Sequence, residues 1–383
     1  MNKITRKSFL KILAATMVGG AAASALTGAA APVSIDETNG KVSRWVKNSL
    51  NPDGPLTIAK QGMFSSGGTV TAPVAGTYNA TTNWLDATRA GNTAHVDHAN
   101  VLYQIPADSN GWPMVYLHGY GQSRMGWITT PDGRQGWADL FLRNGYSAFL
   151  VDQPRRGEAG STAQMSTDGF LDTWSADSKD YKPGDQAWYT HFRIGRVAPE
   201  RYEGSQFPEG DAAQNQFFRQ MTPNTGDFDQ AVAAAALGEV MKDVQTLTGH
   251  KSIFVTHSQG GAVGWSVPAD NIAAIVAIEP GGTPAIGSEQ YTKLLNAGIP
   301  IAIYFGDYID NGPEDIMSTS FWRQVRDGAL AFAAQYNADG GDCTVVDLPK
   351  IGITGNSHFM FQELNNKEIA DHIYQWLESR ALA

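Results

Sequence analysis

Apolar positions in this chain follow two rhythms. From residue 112 onward, short runs rich in β-branched residues alternate with longer stretches whose apolar positions recur every three or four residues. The short runs predict strands at 113–117, 147–151, 253–255, 272–278, 300–305 and 344–348. The longer stretches predict helices that include 137–143, 229–248, 321–334 and 367–380. In the second of these Val232, Ala236, Val240, Val244 and Leu247 share one face, and Gly249 closes the helix. Alternation of this kind implies an α/β fold, with a mostly parallel central sheet flanked by helices. Ahead of it, 56–106 reads as an antiparallel β region of short alternating runs broken by Gly, Asn and Asp.

One stretch breaks the rhythm. Residues 156–226 carry Trp174, Trp188, Tyr189, Phe192, Phe207, Phe217 and Phe218 among many Gly, Pro and Asp. That is too long for a plain loop and too aromatic for disorder, so it is expected to be a cap inserted over a site. The alternative is a decoration away from the chemistry. The N-terminus has a different logic. Thr5, Arg6, Lys7, Ser8, Phe9, Leu10 and Lys11 resemble a twin-arginine export signal with Lys7 in place of the second arginine. An Ala/Gly-rich segment follows, with small-residue cleavage sites at Ala23–Ala25 and Ala29–Ala31. Residues 1–31 are therefore expected to be a signal peptide, and 32–383 the catalytic domain. A stable membrane anchor is disfavoured because Ala and Gly bury little area.

Composition narrows the partners. The 383 residues are 42% hydrophobic, enough for a sizeable core. The net charge is −10, and the basic residues of the leader make the remainder more acidic still. Such a surface repels phosphate backbones, so nucleic acid is not an expected partner. Cys343 is the single cysteine, which excludes an intrachain disulfide and a thiolate zinc site. His95 and His98 have a ligand-like spacing but lack a third partner and read as structural. No metal or cofactor is expected. The oligomeric state stays open, with a homodimer among the options.

The chemistry centres on Thr256-His257-Ser258-Gln259-Gly260, where an apolar strand meets a glycine-rich helix start. A serine at such a corner is forced into a strained conformation that projects its hydroxyl above the sheet. The usual pattern is G-x-S-x-G, and Thr256 stands where the first glycine belongs. A nucleophilic serine needs a base, an orienting acid and two N–H donors. Only His358 and His372 follow Ser258 in the chain. His372 falls inside an amphipathic terminal helix, so His358, in a Gly-rich loop after the last strand, is the candidate base. Three acids compete: Glu279, which ends an apolar strand before Pro280 and Gly281, and Asp307 and Asp310 after the next strand. The turn His118-Gly119-Tyr120-Gly121 offers an oxyanion donor from Tyr120 N–H, or alternatively Gly121. Gln259 N–H would be the other donor, and His118 itself reads as structural. Arg155 and Arg156 read as salt-bridged, or as a greeting for an anionic substrate group.

The block Trp127, Thr129, Thr130, Pro131, Asp132, Gly133 and Arg134 carries a resemblance, together with 151–157, Tyr103–Pro106, Thr256–Gly260, Ile278–Gly281 and Asn356–His358. With these the chain resembles the secreted bacterial α/β-hydrolases typified by esterase 713, over roughly residues 56–380. The resemblance implies an α/β-hydrolase fold and maps the acid onto Glu279. The expected activity is hydrolysis of a small-molecule carboxylic ester, apolar or aromatic, through an acyl-enzyme on Ser258, His358 and Glu279. The same triad on a lactone, amide or polyester bond is one alternative. A binding protein without turnover is another.

Overall fold

The computed structural model describes residues 54–71, 74–82, 90–159, 185–222, 225 and 228–383. The proposed signal segment and residues 160–184 of the proposed cap lie outside the described residues. Among the described residues eight strands form one sheet: β1 Ile58–Val70, β2 His95–Pro106, β3 Pro113–Leu117, β4 Ser147–Asp152, β5 Ser252–His257, β6 Ile272–Ile278, β7 Ile301–Phe305 and β8 Cys343–Asp347. Their order is β1-β2-β4-β3-β5-β6-β7-β8. The first two pairings in that order, β1–β2 and β2–β4, are antiparallel and the other five are parallel. The parallel strands β3 and β7 are apolar throughout, and β3, β5 and β7 are buried along their whole length, as strands covered on both faces must be.

Nine helices flank or top the sheet among the described residues: α1 Met125–Ile128, α2 Trp137–Arg143, α3 Asp185–His191, α4 Gly210–Arg219, α5 Gln230–Thr248, α6 Gln259–Gly264, α7 Glu289–Asn296, α8 Met317–Ala338 and α9 Asn366–Glu378. The ends of α5 show why it forms where it does. Asp229 caps it by accepting N–H bonds from Ala231 at 2.9 Å and Val232 at 3.2 Å. Gly249, at φ 81°, closes it in the left-handed region. Helix α8 begins at Met317, earlier than the apolar period suggests. Its first turn is largely polar, but Ser318 and Thr319 are buried, so packing extends it. No described helix is long and apolar enough to cross a membrane.

The sequence block around Trp127 has a structural task. Trp127 stacks on Phe361 with ring centroids 4.2 Å apart. The Arg134 guanidinium donates to the Glu363 carbonyl at 3.0 Å and the Leu364 carbonyl at 3.3 Å. The block therefore grips the chain just beyond His358. His95 and His98 lie on β2, beside Asp97, whose carboxylate takes a two-pronged bond from Arg155 at 2.8 and 2.9 Å.

Candidate active site

Ser258 occupies the corner between β5 and α6, at φ 52° and ψ −117°. A non-glycine residue in that region stores on the order of 1–3 kcal/mol of strain. The surroundings hold it there. Ser258 N–H donates to the Ile278 carbonyl, and the Ser258 carbonyl accepts from Gly261 and Gly281, each at 3.0 Å. Thr256 fits because the helix gives way instead of the strand. A Cβ on Gly264 would lie 3.1 Å from Thr256 Cγ2, and one on Gly261 only 2.6 Å from Pro280 Cβ. The room normally made by glycine at position 256 is made by Gly264 across from it.

The β3 turn presses on the same corner. A Cβ on Gly119 would lie 2.9 Å from Ser258 Cβ and 2.9 Å from His257 Nδ1. Gly119→Ala is expected to lower stability by about 1–3 kcal/mol, the usual cost of overpacking. A urea midpoint equal to wild type would show that the turn gives way freely. The Gly119 carbonyl is held from behind, accepting from His118 Nδ1 at 2.9 Å and from the Arg156 guanidinium at 3.1 Å. Because a trans peptide places N–H opposite C=O, this anchoring turns Tyr120 N–H the other way. His118 is buried and neutral: burial and the Arg156 charge lower it to about 4. Burial lowers Arg156 too, to about 10, which leaves it charged at neutral pH. Arg156 is thus committed to backbone carbonyls, and Arg155 to Asp97.

His358 and Glu279 come together at the same end of the sheet. His358 Nδ1 lies 2.6 Å from Glu279 Oε2, and both side chains are essentially fully buried. Glu279 Oε1 accepts from Gly306 N–H at 2.7 Å and from the Arg193 guanidinium. Burial pushes the Glu279 carboxyl up, but Arg193, His358 and Gly306 together outweigh it and hold it below the ordinary range. Burial lowers His358 from its usual 6.5, against the pull of Glu279. The imidazole is therefore neutral at pH 7, as a base must be. Its ring lies between Phe192, stacked at 4.7 Å, and Trp322 at 4.3 Å. His358 Nε2 is buried with no hydrogen-bond partner among the described residues, the Ser258 hydroxyl included. In unliganded sites such bonds are often long and tighten only with substrate.

The other candidate acids are occupied. Asp310 is largely exposed and pairs with Arg326 at 2.7 Å. Asp307 accepts from Tyr308 N–H at 2.7 Å and Gly355 N–H at 2.8 Å, so it braces the His358 loop from below. His372 sits on α9 with Nδ1 at 3.0 Å from the Tyr304 hydroxyl.

Three buried residues here carry no sequence signal of their own. His257 bridges the neighbouring loops, with Nε2 at 3.0 Å from the His358 carbonyl and Nδ1 at 3.1 Å from the Gln122 amide. Glu363 accepts from Ser357 N–H at 2.9 Å and from Asn356 Nδ2 at 2.8 Å. Burial raises its carboxyl to about 7 despite those bonds. Arg193 is the third. The described part of segment 156–226 packs on the residue after His358: Trp188 stacks on Phe359 at 5.6 Å, and Phe217 meets the same ring at 4.8 Å.

A parallel sheet with a strained serine at a strand–helix corner, and a His–Glu pair on later loops, defines the α/β-hydrolase architecture. No described protein-family profile matches the chain. It is similar to a crystallised bacterial esterase, with 31% identity, a TM-score of 0.70, and coverage of 87% of this chain and 99% of that one. It is also 26% identical over 314 residues to a probable secreted lipase from a fungal species (strain ATCC 74256), covering 70% of this chain and 82% of that protein. The chain belongs to the α/β-hydrolase superfamily.

Proposed function

We propose that the protein is a secreted serine esterase with a Ser258–His358–Glu279 triad. The observation that carries this reading is the buried His358–Glu279 pair at the same sheet end as the strained Ser258. In the reaction His358 Nε2 takes the Ser258 proton as the oxygen attacks an ester carbonyl, and later hands it to the leaving alcohol. Glu279 keeps the proton on Nδ1 and stabilises the imidazolium. The tetrahedral oxyanion is held by Gln259 and Tyr120 N–H groups. Gln259 is the first residue of α6, so its N–H has no acceptor within the helix. Anchoring of the Gly119 carbonyl directs the Tyr120 peptide toward the same place. Water then cleaves the acyl-enzyme.

Segment 156–226 acts as the cap, and its aromatic rings, with Tyr120 and Phe359, favour an apolar or aromatic acyl or alcohol group. The names of the two relatives, an esterase and a secreted lipase, support ester hydrolysis and export. Thr256, standing where the usual pattern has glycine, packs beside Gly264 and so does not speak against a working nucleophile corner.

Two assays test the proposal. A fluorophosphonate probe should label one serine, identified as Ser258 by peptide mapping. Chromogenic carboxylic esters should turn over at least ~100-fold faster than the matching anilides, a gap of about 2.7 kcal/mol in barrier. An unlabelled folded protein, or preferred amide cleavage, would sink the esterase reading.

A further inference from the structure

Arg193 stands in an unusual place. Helix α3 ends in a Schellman-type turn, with Ile194 N–H donating to the Tyr189 carbonyl at 3.1 Å and Arg193 N–H to the Thr190 carbonyl at 3.3 Å. Arg193 occupies the left-handed position of that turn, at φ 63°, where glycine is the ordinary residue. The strained backbone throws the side chain inward, where it is 1% exposed. Its Nε donates to the Asp307 carbonyl at 2.9 Å and one Nη to Glu279 Oε1, while the guanidinium lies 5.3 Å from the Trp322 ring centre. The other Nη is buried without a hydrogen-bond partner among the described residues. A guanidinium used only for stability would not be expected to sit with an unmade bond on a strained backbone.

We propose that Arg193 is a positioning residue of the triad: from the covering segment, its guanidinium locks the Glu279 carboxylate onto His358. The inference rests on the esterase reading above. Without this cation, Glu279 would keep two donors, Gly306 N–H and His358 Nδ1, both on the side of the loops that must stay registered. The carboxylate would then be a buried charge with no charged partner except an imidazolium.

The groups facing His358 are few. Glu279 approaches from the loop after β6 and Arg193 from the turn after α3. His257 lies at the end of β5, with rings 4.4 Å apart, and His191 at the end of α3. Helix α8 contributes Trp322, and Asp307 and Glu363 turn their carboxylates to the loop backbone. Burial lowers His191 to about 4 and holds His257 well below its usual value, so both are neutral wherever the enzyme works. Arg193 is therefore the one cation facing the pair among the described residues, and its repulsion opposes protonation of His358.

The test compares wild type with Arg193→Met and Arg193→Lys, counting active sites with the fluorophosphonate probe. For Arg193→Met, kcat per labelled site should fall about 100-fold with KM within about threefold, the pattern of a lost positioning contact. The acid limb of kcat/KM should also move up by about one pH unit, because removing a nearby cation favours the protonated imidazole. Arg193→Lys keeps the charge but not the fork, so the limb should stay within ~0.3 unit while kcat falls about tenfold. A methionine variant with the wild-type limb, or a loss confined to KM or to the number of labelled sites, overturns the assignment. Should that variant not fold, a lysine variant with wild-type kcat overturns it equally. Absence of labelling in wild type would overturn the esterase reading instead, and is thereby told apart.

Discussion

Ser258→Ala is expected to lower kcat for a chromogenic ester by about 10⁵-fold or more, leaving only the catalysis that oxyanion donors and binding supply without a nucleophile. The size follows from chemistry, not from damage to the fold. The Ser258 hydroxyl makes no hydrogen bond with His358 Nε2, so its loss breaks none there. Alanine also suits the crowded contact with Gly119 at least as well as serine. The variant should therefore unfold at the same urea concentration as wild type, and KM should change little. Loss of activity together with loss of the folded protein would say nothing for a nucleophile. A folded alanine variant retaining more than about a thousandth of the wild-type rate would mean that another group attacks the ester.

The second large effect concerns the acid. Glu279→Gln keeps the shape of the side chain but exchanges one carboxylate oxygen for an NH₂. The amide can turn its oxygen to His358 Nδ1, which leaves NH₂ against the Gly306 and Arg193 donors, or turn NH₂ to the ring and force the proton onto Nε2. The first orientation sets donors against donors at Oε1, where two N–H groups now converge. The second gives the wrong tautomer for a base. Where that happens in a serine triad, kcat drops about 10⁴-fold with geometry intact. Asp310→Asn, by contrast, should change kcat by less than about threefold, since it removes one largely exposed carboxylate from Arg326, which keeps Asp327 and Asp347 as partners. The opposite ranking in steady-state kinetics would move the acid to the next strand and undo the triad as drawn.

The central parallel strands were legible in the sequence because they are buried on both faces, in uninterrupted runs such as Ile272–Ile278. The helix ends were legible where a cap residue announced them, as at Asp229 and Gly249. Helix α8 was not, because its first turn is polar and its burial depends on partners distant in sequence. The same difference separates the site residues. Ser258, Glu279 and His358 each end a strand or follow one, so topology points to them. Arg193 and Glu363 do not. Arg193 meets a carboxylate 86 positions away and occupies a place where the rule for helix ends asks for glycine. Glu363 is a buried acid whose partners, Asn356 and Ser357, are backbone and amide groups that no charge pattern reveals. Arg156 reads from the sequence as salt-bridged or as facing an anionic substrate group, yet it serves the backbone of the β3 turn.

His358 N–H donates to the Phe192 carbonyl at 3.1 Å, and Gln206 N–H donates to the Gly355 carbonyl at 2.7 Å. The segment from Phe192 to Gln206 and the loop bearing His358 are thus sewn together by main chain at two points. Raising the stretch between Phe192 and Gln206 like a flap would pull these stitches and carry the ring off its acid. Under the proposed triad, substrate is expected to come and go with that seam closed.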